Sequence, residues 1–161
     1  MIASAKLSAA PQTWLDLGCG SGTFTVALAE LLPNGSRVMG IDRNAQQLPE
    51  QSANGVNISF IRADFTADME VENFDGVLMA NSLHYIPNQS QFLDLLISRM
   101  DQNPQFLFIE YDTDAANPWV PYPITYVKME QLFADKNMTV TKIGERPSLY
   151  GGRKMYAAQA L

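Results

Sequence analysis

Leu15-Asp16-Leu17-Gly18-Cys19-Gly20-Ser21-Gly22-Thr23 is the key to this chain. Apolar residues run into three alternating glycines. A helical pattern begins at once, with Phe24, Ala27, Leu28 and Leu31 at i, i+3, i+4 and i+7. The local structure implied is a strand, a tight turn and a helix start. Glycine admits positive φ and lets a ligand approach bare backbone. The helix N-terminus adds unpaired N–H groups and a partial positive charge, which favour an anionic group of a ligand.

Residues 13–17 read as the strand, and Pro33-Asn34-Gly35 stops the helix after the turn. Residues 37–41 read as a second strand closing on Asp42, 44–53 as a helix with a weak apolar face, and 57–63 as a third strand ending at Asp64. Residues 74–80 are apolar on both faces, as a central parallel strand should be. Phe92, Leu93, Leu96, Ile97 and Met100 stripe a helix over 90–100, and 105–111 read as a fifth strand. A loop with three prolines, Trp119 and Tyr122 fills 112–123, and 124–136 is helical with Tyr126, Met129, Leu132 and Phe133 on one side. Residues 138–143 and 155–159 read as two last strands, joined across Gly151-Gly152 with no helix between them, hence an antiparallel pair. Alternating strands and helices imply βαβ units and right-handed crossovers. The fold class is α/β, doubly wound, with a mostly parallel sheet covered on both faces.

Composition narrows the function. A chain of 161 residues with 47% hydrophobic content suits one domain with an ordinary core. The net charge is −6, and the only loose basic cluster is Arg146, Arg153 and Lys154, which disfavours a nucleic-acid surface. One cysteine excludes an internal disulfide, and one histidine gives no metal-ligand spacing, so no metal site is expected. No apolar run approaches a membrane span, and residues 1–10 lack the pattern of a signal peptide. The expectation is a cytoplasmic protein with no membrane partner.

In open α/β sheets, ligands bind outside the carboxyl ends of the strands, where strand order reverses. Four strand ends here carry polar residues: the glycine turn, Asp42 (24 positions after Gly18), Ala63-Asp64-Phe65, and Asn81-Ser82-Leu83-His84-Tyr85. With these in order, residues 13–111 resemble the class I S-adenosylmethionine-dependent methyltransferases. The resemblance implies a Rossmann-like, seven-stranded sheet of order 3-2-1-4-5-7-6 with a C-terminal antiparallel strand and helices on both faces. It implies S-adenosylmethionine as methyl donor and S-adenosylhomocysteine as product. It assigns Gly18, Cys19, Gly20 and Gly22 to the cofactor turn, and Asp16 to the cofactor amino group, directly or through water. Asp42, with Arg43 beside it, is assigned to the ribose diol. Asp64 and Phe65 are assigned to the adenine, and Asn81 and Ser82 to the backbone beneath the methionine portion.

Plainer roles stand beside these. The turn reads G-x-G-x-G, whereas the dinucleotide fingerprint of a nicotinamide or flavin enzyme is G-x-G-x-x-G. Cys19 is a nucleophile or, more simply, a spacer within the turn. Asp42 and Asp64 can cap the segments after them. His84 is either a general base or a pocket-wall residue. Glu110 and Asp112 share one face of their strand, with Tyr111 on the other. Tyr85, Tyr111, Trp119 and Tyr122, with Tyr126 behind them, either line an acceptor pocket or pack a loop over the sheet edge. The acceptor is unnamed, with a small molecule as the default. The strand-four segment lacks the Asn/Asp-Pro-Pro-aromatic motif of amino-nitrogen enzymes, and the single cysteine excludes two-cysteine C5 chemistry. Many relatives carry one or two helices before the first strand, and the twelve residues here are too short for both. An open site, closure by the 112–123 loop, or cover by a homodimer or partner subunit are the options. The competing class is a non-catalytic module of the same fold.

Overall fold

The computed structural model describes residues 1–67, 71, 73–148 and 153–161. Seven strands form one sheet: β1 (Thr13–Leu17), β2 (Arg37–Asp42), β3 (Asn57–Arg62), β4 (Phe74–Ala80), β5 (Met100–Tyr111), β6 (Val140–Pro147) and β7 (Lys154–Ala160). Their order is β3-β2-β1-β4-β5-β7-β6. The first five pair in parallel, and β7 runs antiparallel to both β5 and β6. The order reverses between β1 and β4, so a crevice is expected outside their carboxyl ends.

Three α-helices cover the sheet among the described residues: α1 (Thr23–Leu31), α2 (Gln89–Arg99) and α3 (Tyr126–Ala134). On one face, Leu28 and Ala29 of α1 pack with Trp14, Val38, Leu78 and Ile109. On the other, Leu93 and Leu96 of α2 join Met129 and Phe133 of α3 over Leu15, Val77, Phe106 and Phe108. Both sides of β1 and β4 are therefore dry, which explains why these two strands read as near-continuous apolar runs. Asn88 caps α2 by accepting from the Gln91 N–H, and Thr125 caps α3 by accepting from the Lys128 N–H.

The helix expected over 44–53 does not form; the chain crosses from β2 to β3 without regular helix, closing on an isolated Gln51–Asn57 bridge. Leu48 is its one large apolar residue, and Pro49 removes an N–H donor in mid-segment. A single anchor does not stabilise a helix face, but it does fill a hole. A side chain at Gly22 or Gly40 would run into Leu48, so this leucine plugs the space behind the glycine turn. β6 starts at Val140 rather than 138 and runs on to Pro147, β7 adds Lys154 and Ala160 to the expected 155–159, and the expected junction at Gly151-Gly152 lies outside the described residues. Residues 1–10 run beside β6 and β7: Lys6 exchanges two backbone bonds with the Gln159 amide, each 2.8 Å, and Ile2 is buried.

Candidate active site

The three glycines of the turn all have positive φ: 79° at Gly18, 50° at Gly20 and 80° at Gly22. A Cβ at Gly18 would lie 2.7 Å from Cβ of Ser82 and 3.3 Å from the Phe65 ring, and one at Gly22 would lie 2.3 Å from Cδ2 of Leu48. The turn is fastened to β2. The N–H groups of Gly18 and Cys19 both donate to the Ile41 carbonyl, at 2.8 and 3.1 Å, and Gly20 N–H donates to Asp42 Oδ2 at 3.0 Å. Ser82 Oγ donates to the Leu17 carbonyl at 2.5 Å and ties the end of β4 to the end of β1.

A cavity of about 380 Å³ opens at this point. Gly18 forms its floor, with Asp42 and Arg43 from the end of β2, and Asp64 and Phe65 from beyond β3. Asn81, Ser82 and Tyr85 close the β4 side. The sequence pattern had singled out all of these. Asn44 and Thr66 also line it and were missed. Both stand two residues after a strand-end aspartate, and their N–H groups donate to Asp42 Oδ1 and Asp64 Oδ1, each at 2.9 Å. An Asp-x-Asn or Asp-x-Thr step at a strand end is the signal that would have found them. Thr66 Oγ1 adds a second bond to Asp64 Oδ1 at 2.7 Å, and these two bonds hold the Asp64 carboxyl below its ordinary range.

Other residues singled out by sequence do not line the cavity. Cys19, Gly20 and Gly22 shape the turn without lining the cavity. Burial, then the charges of Asp16 and Asp42, push the Cys19 thiol up to about 12, which disfavours the thiolate that a nucleophile would need. Asp16 is buried; its Oδ2 accepts from Thr25 Oγ1 at 2.6 Å, while Oδ1 has no partner among the described residues. Burial pushes its carboxyl up to about 7, against the pull of the Thr25 hydroxyl and with a further push from Asp42. Asn81 Oδ1 is likewise buried without a partner among the described residues, on a residue held at φ 56°. A left-handed non-glycine residue stores strain. Two sealed, unpartnered acceptors beside one glycine turn are a second such cost, which a bound donor would relieve.

His84 does not line the cavity. It is 2% exposed, its Nδ1 lies 2.6 Å from Oε2 of the equally buried Glu110, and its backbone N–H points at Oε1 of the same carboxylate at 3.3 Å. Its ring lies 4.5 Å from that of Tyr85 and 6.2 Å from that of Tyr111. The short 3-10 turn Leu83–Tyr85 is thus clamped to β5 by one carboxylate. Sequence alone did not pair His84 with Glu110, because the two stand on different elements 26 positions apart.

The 112–123 loop lies against this turn. Tyr122 N–H donates to the His84 carbonyl at 3.0 Å, and Gln89 Nε2 donates to the Tyr122 carbonyl at 2.9 Å. Trp119 and Tyr122 are exposed, so the loop does not bury them over the sheet edge. Tyr126 turns away: its ring packs edge-on against Tyr156, and its hydroxyl reaches the Val140 carbonyl at 3.4 Å.

This geometry can be compared with known proteins. A family model described as "Methyltransferase domain" matches residues 10–151. The chain belongs to the methyltransferase-domain family. Its fold is the Rossmann-like sheet of the class I S-adenosylmethionine-dependent methyltransferases. Among relatives in the family, the trans-aconitate 2-methyltransferase of Escherichia coli is 30% identical over 90 residues, which are 56% of this chain and 34% of that protein. The chain thus matches about a third of the length of that curated methyltransferase. Among solved structures, the 1,6-didemethyltoxoflavin-N1-methyltransferase of Burkholderia thailandensis, bound to 1,6-didemethyltoxoflavin and S-adenosylhomocysteine, superposes with a TM-score of 0.72. It is 20% identical and covers 93% of this chain and 70% of its own. An S-adenosylmethionine-dependent methyltransferase from Aquifex aeolicus superposes with a TM-score of 0.66 at 16% identity, over 95% of this chain and 84% of its own.

Proposed function

We propose that this chain binds S-adenosylmethionine over the glycine turn and transfers its methyl group to a small-molecule acceptor. The observation that carries the reading is the pair of buried, unpartnered oxygens, Asp16 Oδ1 and Asn81 Oδ1, at the ends of β1 and β4 beside Gly18. They suit a donor-only group such as the ammonium of the cofactor's methionine portion. The helix N-terminus at Thr23 suits its carboxylate. Each oxygen of Asp42 already accepts one N–H bond and retains a second lone pair for a ribose hydroxyl. Asp64 and Phe65, which line the cavity, are the proposed contacts of the adenine edge. The G-x-G-x-G turn and the absence of the dinucleotide spacing weigh against a nicotinamide or flavin enzyme.

When bound, the cofactor supplies a methyl carbon on a sulfonium. That carbon would pass to an acceptor lone pair while the carbon–sulfur electron pair went to sulfur, leaving S-adenosylhomocysteine. An O–H or N–H acceptor also loses a proton. The chain's own contribution is positioning and exclusion of water, worth up to roughly 7–11 kcal/mol when reactants are held in near-attack geometry. His84, buried beside Tyr85 and outside the cavity lining, is the candidate to receive that proton through a water. With Nδ1 turned to Glu110, a neutral ring leaves Nε2 as its basic side, and Nε2 makes no hydrogen bond among the described residues. Tyr85, Tyr111, Trp119 and Tyr122 are the candidate acceptor contacts. The trans-aconitate of the E. coli relative and the 1,6-didemethyltoxoflavin of the B. thailandensis enzyme mark two kinds of acceptor, a polyanion and a fused heterocycle. A cytoplasmic setting agrees with a single buried thiol; no helix among the described residues is long and apolar enough to cross a membrane.

The test is turnover. Purified protein with S-adenosylmethionine and a panel of metabolite acceptors should generate S-adenosylhomocysteine in at least one well. Binding of the cofactor with no turnover across the panel would favour the non-catalytic module, and binding of neither nucleoside would end the methyltransferase reading.

A further inference from the structure

We propose that Leu48 is a positioning residue for the methyl donor: it wedges against the glycine turn and pins to it the segment that carries Arg43 and Asn44. The proposal rests on the methyltransferase reading and adds to it a residue outside the cavity. Arg43 and Asn44 line the cavity, whereas Leu48 does not. Hydrogen bonds tie their segment only at its two ends. Asn44 N–H donates to Asp42 Oδ1 at 2.9 Å, and the Arg43 carbonyl accepts from Arg62 Nε at 3.1 Å. At the far end, the Glu50 carbonyl accepts from the Ile58 N–H at 2.8 Å. Residues 45–49 make no hydrogen bond among the described residues. What holds the middle is Leu48, half-buried and packed onto the core cluster that contains Leu28 and Val38.

Two glycines make room for this side chain. A Cβ at Gly22 would collide with Leu48 Cδ2, and one at Gly40 would lie 2.8 Å from Leu48 Cδ1 and 3.0 Å from Cys19 Sγ. Gly22 is the N-cap of α1, and Gly40 stands inside β2, two residues before Asp42. Gly40 is not among the glycines of positive φ, so its missing side chain answers to space alone. Glycine inside a strand weakens it and often marks a close approach by another group. Here the group is Leu48, beside the turn residue Cys19. One leucine thus meets the start of α1, where the donor's carboxylate is proposed to sit, and the strand that delivers Asp42. Packing contacts fade within an ångström of separation. Without Leu48 the segment keeps only its end ties, and the turn has a hollow beside it.

The experiment titrates S-adenosylhomocysteine into the full chain by calorimetry, parent first, then variants at a temperature where each is folded by circular dichroism. Leu48→Ala should weaken binding by at least about fivefold, while Leu48→Met, of similar volume, should stay within about twofold of the parent. Gly40→Ala, whose methyl displaces the leucine, should weaken binding by at least about threefold. The double variant should lose less than the product of the two single factors, because the new methyl occupies space that the leucine has left. Hydrogen exchange of the ligand-free protein should quicken at residues 43–50 in Leu48→Ala and stay at the parent rate in Leu48→Met. If Leu48→Ala does not fold, Leu48→Val with Gly40→Ala carries the same comparison. A leucine that only stabilises the fold would lower the melting temperature and leave affinity within about twofold, and that result, or single factors that simply multiply, overturns the proposal while the methyltransferase reading stands. Failure of the parent to bind S-adenosylhomocysteine removes both, and the order of the titrations tells the two failures apart.

Discussion

The two halves of the proposed site are built by different means. On the donor side, between β1, β2 and β4, backbone amides and strand-end carboxylates are locked together. Gly18 and Cys19 share the Ile41 carbonyl, Gly20 holds Asp42, and Ser82 holds Leu17. On the acceptor side, exposed rings stand on a loop secured by a few backbone contacts, chiefly Tyr122 to His84 and Tyr126 N–H to Asp112 Oδ1. The first arrangement tolerates little substitution, because the parts are backbone and cannot move. The second leaves side chains free to differ without disturbing the sheet. A shared donor with variable acceptors is what such a division of labour would serve.

The rigid half should show the strongest response. Gly18→Ala forces a left-handed alanine and a contact with Ser82, and should cost about 2–5 kcal/mol of stability. Gly20→Ala has the same sign of φ but open space around it, and should cost only about 1–2 kcal/mol. Equal losses in denaturant melts would show that packing against Ser82 is not what fixes Gly18.

Asp16 comes next. Its carboxyl lies at about 7 in the folded protein against 3.8 when solvated, so the native state keeps a proton that the unfolded chain releases between those values. Stability of the ligand-free protein should therefore fall as pH rises through that window, and a shift of this size is worth up to about 4 kcal/mol. Asp16→Asn should flatten the slope and melt higher than the parent at pH 8. A parent whose melting temperature is level from pH 4 to pH 8 would refute the burial argument.

Asp42→Ala should weaken S-adenosylhomocysteine by about 1–3 kcal/mol, the loss expected for hydrogen bonds to a carboxylate. Because Asp42 also braces the turn, the loss should exceed that of Asp64→Ala, whose carboxylate braces only its own loop. The weakest response belongs to the other half: Trp119→Ala should change S-adenosylhomocysteine affinity by less than about twofold, since a surface residue away from the cofactor seldom contributes more. A larger loss would mean that the two halves are not separable.

The same division explains what was legible in the sequence. The turn, β1 and β4 could be read directly, because alternating glycines and doubly apolar strands each have one physical explanation. The four strand-end groups came with the strands, and eight of the residues so chosen line the cavity. Residues 44–53 misled because a run of asparagine, glutamine and alanine permits a helix, while Leu48 alone is needed to plug Gly22 and Gly40. The His84–Glu110 clamp was invisible, since a contact between β5 and a turn after β4 has no local pattern. For the aromatic loop, the sequence supplied the residues, but their exposure depends on the Tyr122 and Asn117 backbone bonds.

The donor-side proposal requires an ammonium-bearing nucleoside to seat over the glycine turn and engage the Asp16 carboxyl, directly or through water. Calorimetric titration of S-adenosylhomocysteine at pH 6.5, in two buffers of different ionisation enthalpy, is the decisive measurement. One site per chain is expected, with a buffer-dependent heat that reports release of up to about one proton on binding, absent in Asp16→Asn. No binding heat in either buffer, or the same proton release in Asp16→Asn as in the parent, would contradict it.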